Sequence, residues 1–285
     1  VEIRLGNRVA AKLNISSDDF IYLFDKKTGE KFCKLSSIQV CKITHYKVKS
    51  EKTDKPSANI VEVHANLKSN NDNQAIANRA LFDAHNVLVI NLMSSPGSGK
   101  TRLLEETIRA LKSQYAMAVI EGDLETENDA NRIRRHGVQA EQIATGQGCH
   151  LDASMVQKVL GRFSLQKLDV LFIENVGNLI CPACFDLGQH LNIILLSVPE
   201  GDDKPEKYPV MFRAADVMLI SKTDYLQFHD EFNVPRAIES FRKVGNDAPV
   251  LEVSSLKSQH LERWFSYFTH AITAHQSQSL QNSGV

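Results

Sequence analysis

The stretch "SSPGSGKT", residues 94–101, limits this chain more than any other, because it stands between the apolar run "VLVINLM" and an amphipathic pattern. A strand, a glycine-bearing loop and a helix in that order make a phosphate-binding turn. Gly97 and Gly99 let the backbone curl so that successive N–H groups converge on one point, and the N-terminus of the following helix adds its dipole there. The residues expected to hold a nucleotide are therefore Ser95, Pro96, Gly97, Ser98, Gly99, Lys100 and Thr101. Lys100 would reach the terminal phosphates and the Thr101 hydroxyl would bind Mg²⁺. Ser94 occupies the position where the strict pattern starts with glycine, and serine fits there only if its backbone angles stay negative.

Further apolar runs follow, "MAVIEG", "LDVLFIEN", "NIILLSV", "DVMLIS" and "PVLEVS", mostly separated by helical patterns. In "TRLLEETIRALKS" the residues Leu103, Leu104, Thr107, Ile108 and Leu111 form one apolar stripe. Strands that are apolar throughout and alternate with amphipathic helices predict a doubly wound, mostly parallel α/β sheet covered on both faces. "KSNNDNQAIANRALFDAHNV" reads as a helix, capped by an Asn or Asp, that leads into this domain. Ahead of it, "FIYLFD" and "IQVCKITHYKV" around "DKKTGE" suggest a small β-rich module over residues 1–55, ending in the polar, proline-bearing linker "KSEKTDKPSAN". The G-domain-like part is expected over 56–273 and a disordered tail over 274–285.

A net charge of −1 leaves no basic excess for nucleic acid or an anionic membrane. No apolar run approaches the roughly 18 residues that span a bilayer. We expect a cytoplasmic protein whose partners are small molecules and proteins.

Acidic groups must hold the metal and sense the last phosphate, and two stand at strand ends: Asp123 in "VIEGDLET" and Glu174 in "LFIENVGN". With Gly177, Glu174 resembles a D-x-x-G switch in which Glu replaces Asp. Lys100, Asp123 and Glu174 are the expected catalytic group, and Thr101, Asp123 and Glu174 the expected Mg²⁺ ligands. "SKTD" resembles the base-reading N-K-x-D element, with Ser221 in place of asparagine, Lys222 beside the base and Asp224 accepting from guanine. A carboxylate left unpaired opposite adenine costs on the order of 1–3 kcal/mol. "VSSLK", residues 253–257, is expected to set Ser255 against the base.

Five cysteines, at 33, 41, 149, 181 and 184, make a poor disulfide framework. Cys33, Cys41 and His45 read as packing residues more readily than as ligands. Cys149 and His150 precede a helix that Asp152 could cap, and a helix N-terminus favours the thiolate. Cys181 and Cys184 lie just downstream of Glu174 and Gly177. Cys149, His150 and Cys181 offer donors suited to Zn²⁺ or Ni²⁺; buried structural thiols and a redox C-x-x-C pair are the other readings. Three ligands leave a fourth position for water, another side chain or a second subunit.

Taken together, "ANRALF", "NLMSSPGSGKT", "EGDLETENDANRI", "TGQGCHLDASMV", "ENVGNLICPACFDLG", "SVPEGDDKPEKYP" and "ISKTDYL" give residues 68–270 a resemblance to the HypB family. That resemblance implies a GTPase assisting nickel insertion into [NiFe]-hydrogenase, a nucleotide-dependent homodimer and a metal site at the subunit interface on Cys149, His150 and Cys181. It also implies GTP or GDP with Mg²⁺ and Ni²⁺ or Zn²⁺ as ligands, and hydrogenase accessory proteins and the hydrogenase large subunit as partners. The Cys-rich and His-rich nickel motifs that members often carry are absent from residues 1–60. A urease-accessory-type GTPase, a small-molecule P-loop kinase and a non-enzymatic metal scaffold are the competing readings.

Overall fold

The computed structural model describes the backbone of four N-terminal strands, β1 (Phe20–Asp25), β2 (Gly29–Lys34), β3 (Tyr46–Ser50) and β4 (Ile60–Glu62), and then residues 65–282 except 124–126 and 147. Side chains are described within residues 70–278. The chain divides into two compact units, Val1–Asn70 and Asn71–Val285. In the first, the four strands form an antiparallel sheet in the order β2-β1-β3-β4. Cys33 lies on β2, while Cys41, His45 and the linker expected near residue 55 fall outside the described residues.

The second unit begins within helix α1 (Ala65–Ala84). It comprises β5 (Leu88–Ser94), α2 (Lys100–Leu111), β6 (Met117–Asp123), α3 (Asn128–Arg134), β7 (Gln139–Ala144), α4 (Ala153–Leu160), β8 (Val170–Glu174), β9 (Leu191–Ser197), α5 (Lys204–Lys207), α6 (Pro209–Arg213), β10 (Val217–Ser221), α7 (Val234–Lys243), β11 (Val250–Glu252) and α8 (Leu261–Asn282). Its seven strands pair in parallel in the order β11-β10-β9-β5-β8-β6-β7. From the central β5 the chain passes to β6 and the edge strand β7, returns to insert β8 between β5 and β6, and then crosses to build the other side, so the carboxyl ends of β5, β6 and β8 open onto the crevice where such sheets bind ligands.

Strand residues alternate between the two faces, as side-chain period 2 requires. Leu88, Ile90, Leu92, Val170, Phe172, Ile193 and Leu195 join one core layer with the α2 stripe. Val89, Leu171 and Ile173 join a second with α4, and Ile194 and Leu196 a third with α6 and α7. No described helix is long and apolar enough to cross a membrane.

Three local expectations are corrected. β7 was not foreseen: only Ala140 and Ile143 of its six residues are buried, so this edge strand carries little apolar signal and is defined by its pairing with β6. The segment expected as a disordered tail instead continues α8 to Asn282. Trp264, Phe268 and Ile272 seat this helix on the core, and the Gln276 side chain reaches Asp169 at 3.3 Å. Finally, Asn71 and Asp72 lie inside α1 rather than capping it. The Asn71 side-chain oxygen accepts from the Ala153 amide at 2.9 Å and Asn78 donates to the Ala153 carbonyl at 2.8 Å, so α1 anchors the start of α4.

Candidate functional site

The phosphate loop folds as its glycines dictate. Gly97 and Gly99 take φ of 75° and 99°, values a side chain would resist, whereas Ser94 is absent from the positive-φ residues. Serine in the first position is thus compatible with the turn. Ser94 is fully buried, and its hydroxyl accepts from Lys100 Nζ at 3.1 Å and donates to the Ser95 carbonyl at 2.7 Å. Ser221, where asparagine was expected, donates to the Ser98 carbonyl at 2.8 Å, so the end of β10 is tied to the loop itself. Ser98 also donates to Glu200 Oε1 at 2.5 Å.

Gly177 shows why a switch segment at this place needs glycine. A Cβ there would stand 2.7 Å from Pro96 Cα and 2.8 Å from its nitrogen, so the chain after β8 lies directly against the loop. The two segments enclose a cavity of about 410 Å³ lined by Lys100, Thr101, Asp123, Glu174 and Gly177 among others.

Two carboxyl groups dominate its floor. Glu174 accepts from the Thr101 hydroxyl at 2.9 Å and lies 4.0 Å from Lys100 Nζ. Its cross-strand neighbour is Glu121, which sequence reasoning missed because it reads as one polar residue inside an apolar strand. Burial raises both pKa values; repulsion from Glu174 pushes Glu121 further up, and Lys100 partly counters the rise at Glu174. Glu121 Oε1 and Glu174 Oε2 are buried with no hydrogen-bond partner among the described residues. Unsatisfied carboxylate oxygens beside a threonine hydroxyl form an oxygen donor set that suits Mg²⁺. Asp123, at the end of β6, lines the same cavity.

At the segment expected to read the base, Asp224 Oδ1 accepts from the Ser254 hydroxyl at 2.5 Å. Ser254 orients this carboxylate, and the carbonyl of its neighbour Ser255, expected against the base, accepts from Arg102 of α2 at 3.5 Å. Lys222 sits at φ 58°, which turns the chain between the strand and Asp224.

The ligating atoms of Cys149, His150 and Cys181 lie within 4.8 Å of one another, with the two sulfurs 3.0 Å apart. Cys184 is not part of this group. His150 stacks on Phe185 with ring centroids 3.9 Å apart, and burial lowers its pKa. Burial and the facing Cys149 push the Cys181 thiol up to about 12. Asp152 caps α4 by accepting from the Met155 amide at 2.7 Å. Two sulfurs and an imidazole in this arrangement fit a borderline or soft divalent cation, whose binding displaces the thiol protons.

Hydrogen bonds join the two places. Thr145 donates through its amide to the Asp123 carbonyl at 2.9 Å and through its hydroxyl to Gly148, the neighbour of Cys149, at 2.8 Å. Asn175 accepts from the Leu151 amide at 3.2 Å. The chain itself runs from Glu174 through Gly177 to Cys181.

Comparison with known proteins agrees with this fold. Residues 87–252 match the domain described as CobW/HypB/UreG, nucleotide-binding domain. The chain is similar to hydrogenase maturation factor HypB of Azotobacter vinelandii, 49% identical over 208 residues that cover 73% of this chain and 68% of that protein. It is also similar to HypB of Escherichia coli K12, 47% identical over 73% and 71% of the two chains. Among solved structures, HypB from Helicobacter pylori in complex with nickel aligns at TM-score 0.68 and 42% identity, covering 73% of this chain and 97% of that one. HypB from Archaeoglobus fulgidus aligns at TM-score 0.67 and 35% identity, over 72% and 99%. Phosphate loop, strand order and sequence agree: the chain belongs to the CobW/HypB/UreG nucleotide-binding family, on its HypB branch.

Proposed function

We propose that this protein is a GTP-hydrolysing metallochaperone that binds nickel or zinc and assists nickel insertion into [NiFe]-hydrogenase in the cytoplasm. The observation that carries the reading is the continuity between Glu174 and Gly177, which face the phosphate loop, and Cys181, which faces Cys149. The nickel named for the Helicobacter pylori relative supports the choice of metal.

Lys100 and the loop amides hold the phosphates, and Asp224, oriented by Ser254, selects guanine. Thr101, Asp123 and Glu174 hold Mg²⁺, which neutralises charge developing on the phosphates. Closure on a third phosphate moves the Asp123 and Glu174 segments, and these displace the two cysteine loops bonded to them. A GTP-dependent homodimer brings two three-donor sets together, and accessory proteins and the hydrogenase large subunit receive the metal.

Metal stoichiometry and affinity, and oligomeric state, measured with GDP and with a non-hydrolysable GTP analogue, test the reading. We expect nucleotide-dependent metal affinity and loss of the metal in Cys149→Ala; equal affinities with both nucleotides would sink the coupling. Hydrolysis of GTP in preference to ATP separates this reading from a small-molecule kinase. A second client is favoured by the Helicobacter hepaticus relative, 44% identical and named hydrogenase/urease maturation factor.

A further inference from the structure

Of the residues that connect the nucleotide cavity with the thiol pair, Thr145 and Asn175 each reach only the Cys149 side, through Gly148 and Leu151. Asn178 does more. Its amide donates to the Ser94 carbonyl of the phosphate loop at 2.8 Å. Its side-chain Nδ2 donates to the Cys149 carbonyl at 3.4 Å. Its Oδ1 accepts from the Ile180 amide at 2.8 Å, an Asx turn that fixes the direction of the side chain relative to its own backbone. The residue before it is Gly177, pressed against Pro96.

We propose that Asn178 is the positioning residue through which the phosphate loop and the Cys149/Cys181 pair sense one another. Its backbone follows the loop through Ser94, while its amide side chain spans the Cys149 carbonyl and the amide of Ile180, the residue before Cys181. Because the Asx turn locks side chain to backbone, a displacement of the loop reaches both cysteine segments together instead of being absorbed by a rotamer change. The same lever works in reverse: a cation fixing the positions of the two sulfurs holds residues 177–178 against the loop. This rests on the nucleotide–metal coupling proposed above, and it assigns that coupling to one side chain.

The test uses the full chain and three proteins, wild type, Asn178→Ala and Asn178→Ser. Ni²⁺ affinity is measured with Mg²⁺-GDP and with a Mg²⁺-bound non-hydrolysable GTP analogue, and affinity for the analogue is measured with and without Ni²⁺. Linkage requires the two ratios to agree, and for a coupled pair of sites they fall on the order of 5- to 150-fold. Serine retains an acceptor for the Ile180 amide but is too short to span to Cys149, so it preserves the turn and removes the arm. We expect both variants to bind one nucleotide and to keep the metal stoichiometry of the wild type, while the ratio falls to within about twofold of unity in both directions. A purely structural role would lower the affinities and leave the ratio unchanged.

A wild-type ratio that persists in the serine variant overturns the role of Asn178 and leaves the proposed function standing. A wild-type ratio of unity overturns both. If alanine disrupts folding, the serine variant decides; loss of Ni²⁺ from both folded variants with either nucleotide makes Asn178 a support of the metal site and also overturns the inference.

Discussion

Adding one methyl group at Gly177 should damage nucleotide binding more than its size suggests. The new Cβ would stand 2.7 Å from Pro96 Cα and 2.8 Å from Pro96 N, closer than real Cβ contacts come, and both atoms are backbone. No rotamer change can relieve the clash, so either the phosphate loop or the segment after β8 must shift. Overpacking of this kind costs about 1–3 kcal/mol. In the free protein the two segments can separate and shed part of that strain. Bound phosphate requires the loop amides in place, so the strain returns as lost affinity, on the order of 5- to 150-fold in Kd. Titration of a fluorescent guanine nucleotide into Gly177→Ala measures it. Gly161→Ala is the control: it caps α4 at φ −63° and has nothing within 4 Å of a built Cβ, so that variant should bind as wild type. If Gly177→Ala bound nucleotide within about twofold of wild type and melted at the same temperature, the contact between switch and loop would not be the constraint described here.

Asp224→Asn should reduce discrimination of GTP against ATP by about 10-fold or more, since one donor–acceptor pair is worth on the order of 1–3 kcal/mol; unchanged competition by ATP would refute the base assignment. His190 is pushed down to about 4, chiefly by burial, with Arg79 and His275 adding to the shift and Asp83 opposing it. Its unfolded value is about 6.5. The protonated ring thus favours the unfolded chain, and stability that is complete above about pH 6.5 is lost as pH falls towards 4, by up to about 3 kcal/mol. Urea midpoints at pH 7.5 and pH 5 should differ less in His190→Asn than in wild type, and equal differences would contradict this. Trp264, 1% exposed, donates its indole N–H to Thr107 at 2.8 Å; Trp264→Ala should cost about 3–5 kcal/mol in chemical denaturation, and a loss under about 1 kcal/mol would show that α8 is not seated on the core as described.

Much of the site was legible because its chemistry is local in the chain. A phosphate loop is one turn whose glycines, lysine and threonine are adjacent, and the α2 stripe repeats at the helical period. The cysteine and histidine positions stand out because such residues in short clusters have few other uses. Glu121 was not legible, since its meaning comes from lying opposite Glu174 on a neighbouring strand. The bond from Ser254 to Asp224 was not legible either, since it depends on the turn closed by the paired Ser254 and Gln259 backbones. The tail was misread because α8 beyond residue 273 is polar in composition and held by contacts to distant residues.

Sequence alone determined that this chain builds a parallel sheet and presents a phosphate loop, because periodicity and turn chemistry act between near neighbours. Tertiary structure alone decided that Gly177 touches Pro96, that two buried glutamates share the cavity floor, and that Asn178 stands between the loop and the Cys149 and Ile180 backbones. Those relations depend on strand order, which brings β8 between β5 and β6. No spacing along the chain encodes which strand ends become neighbours.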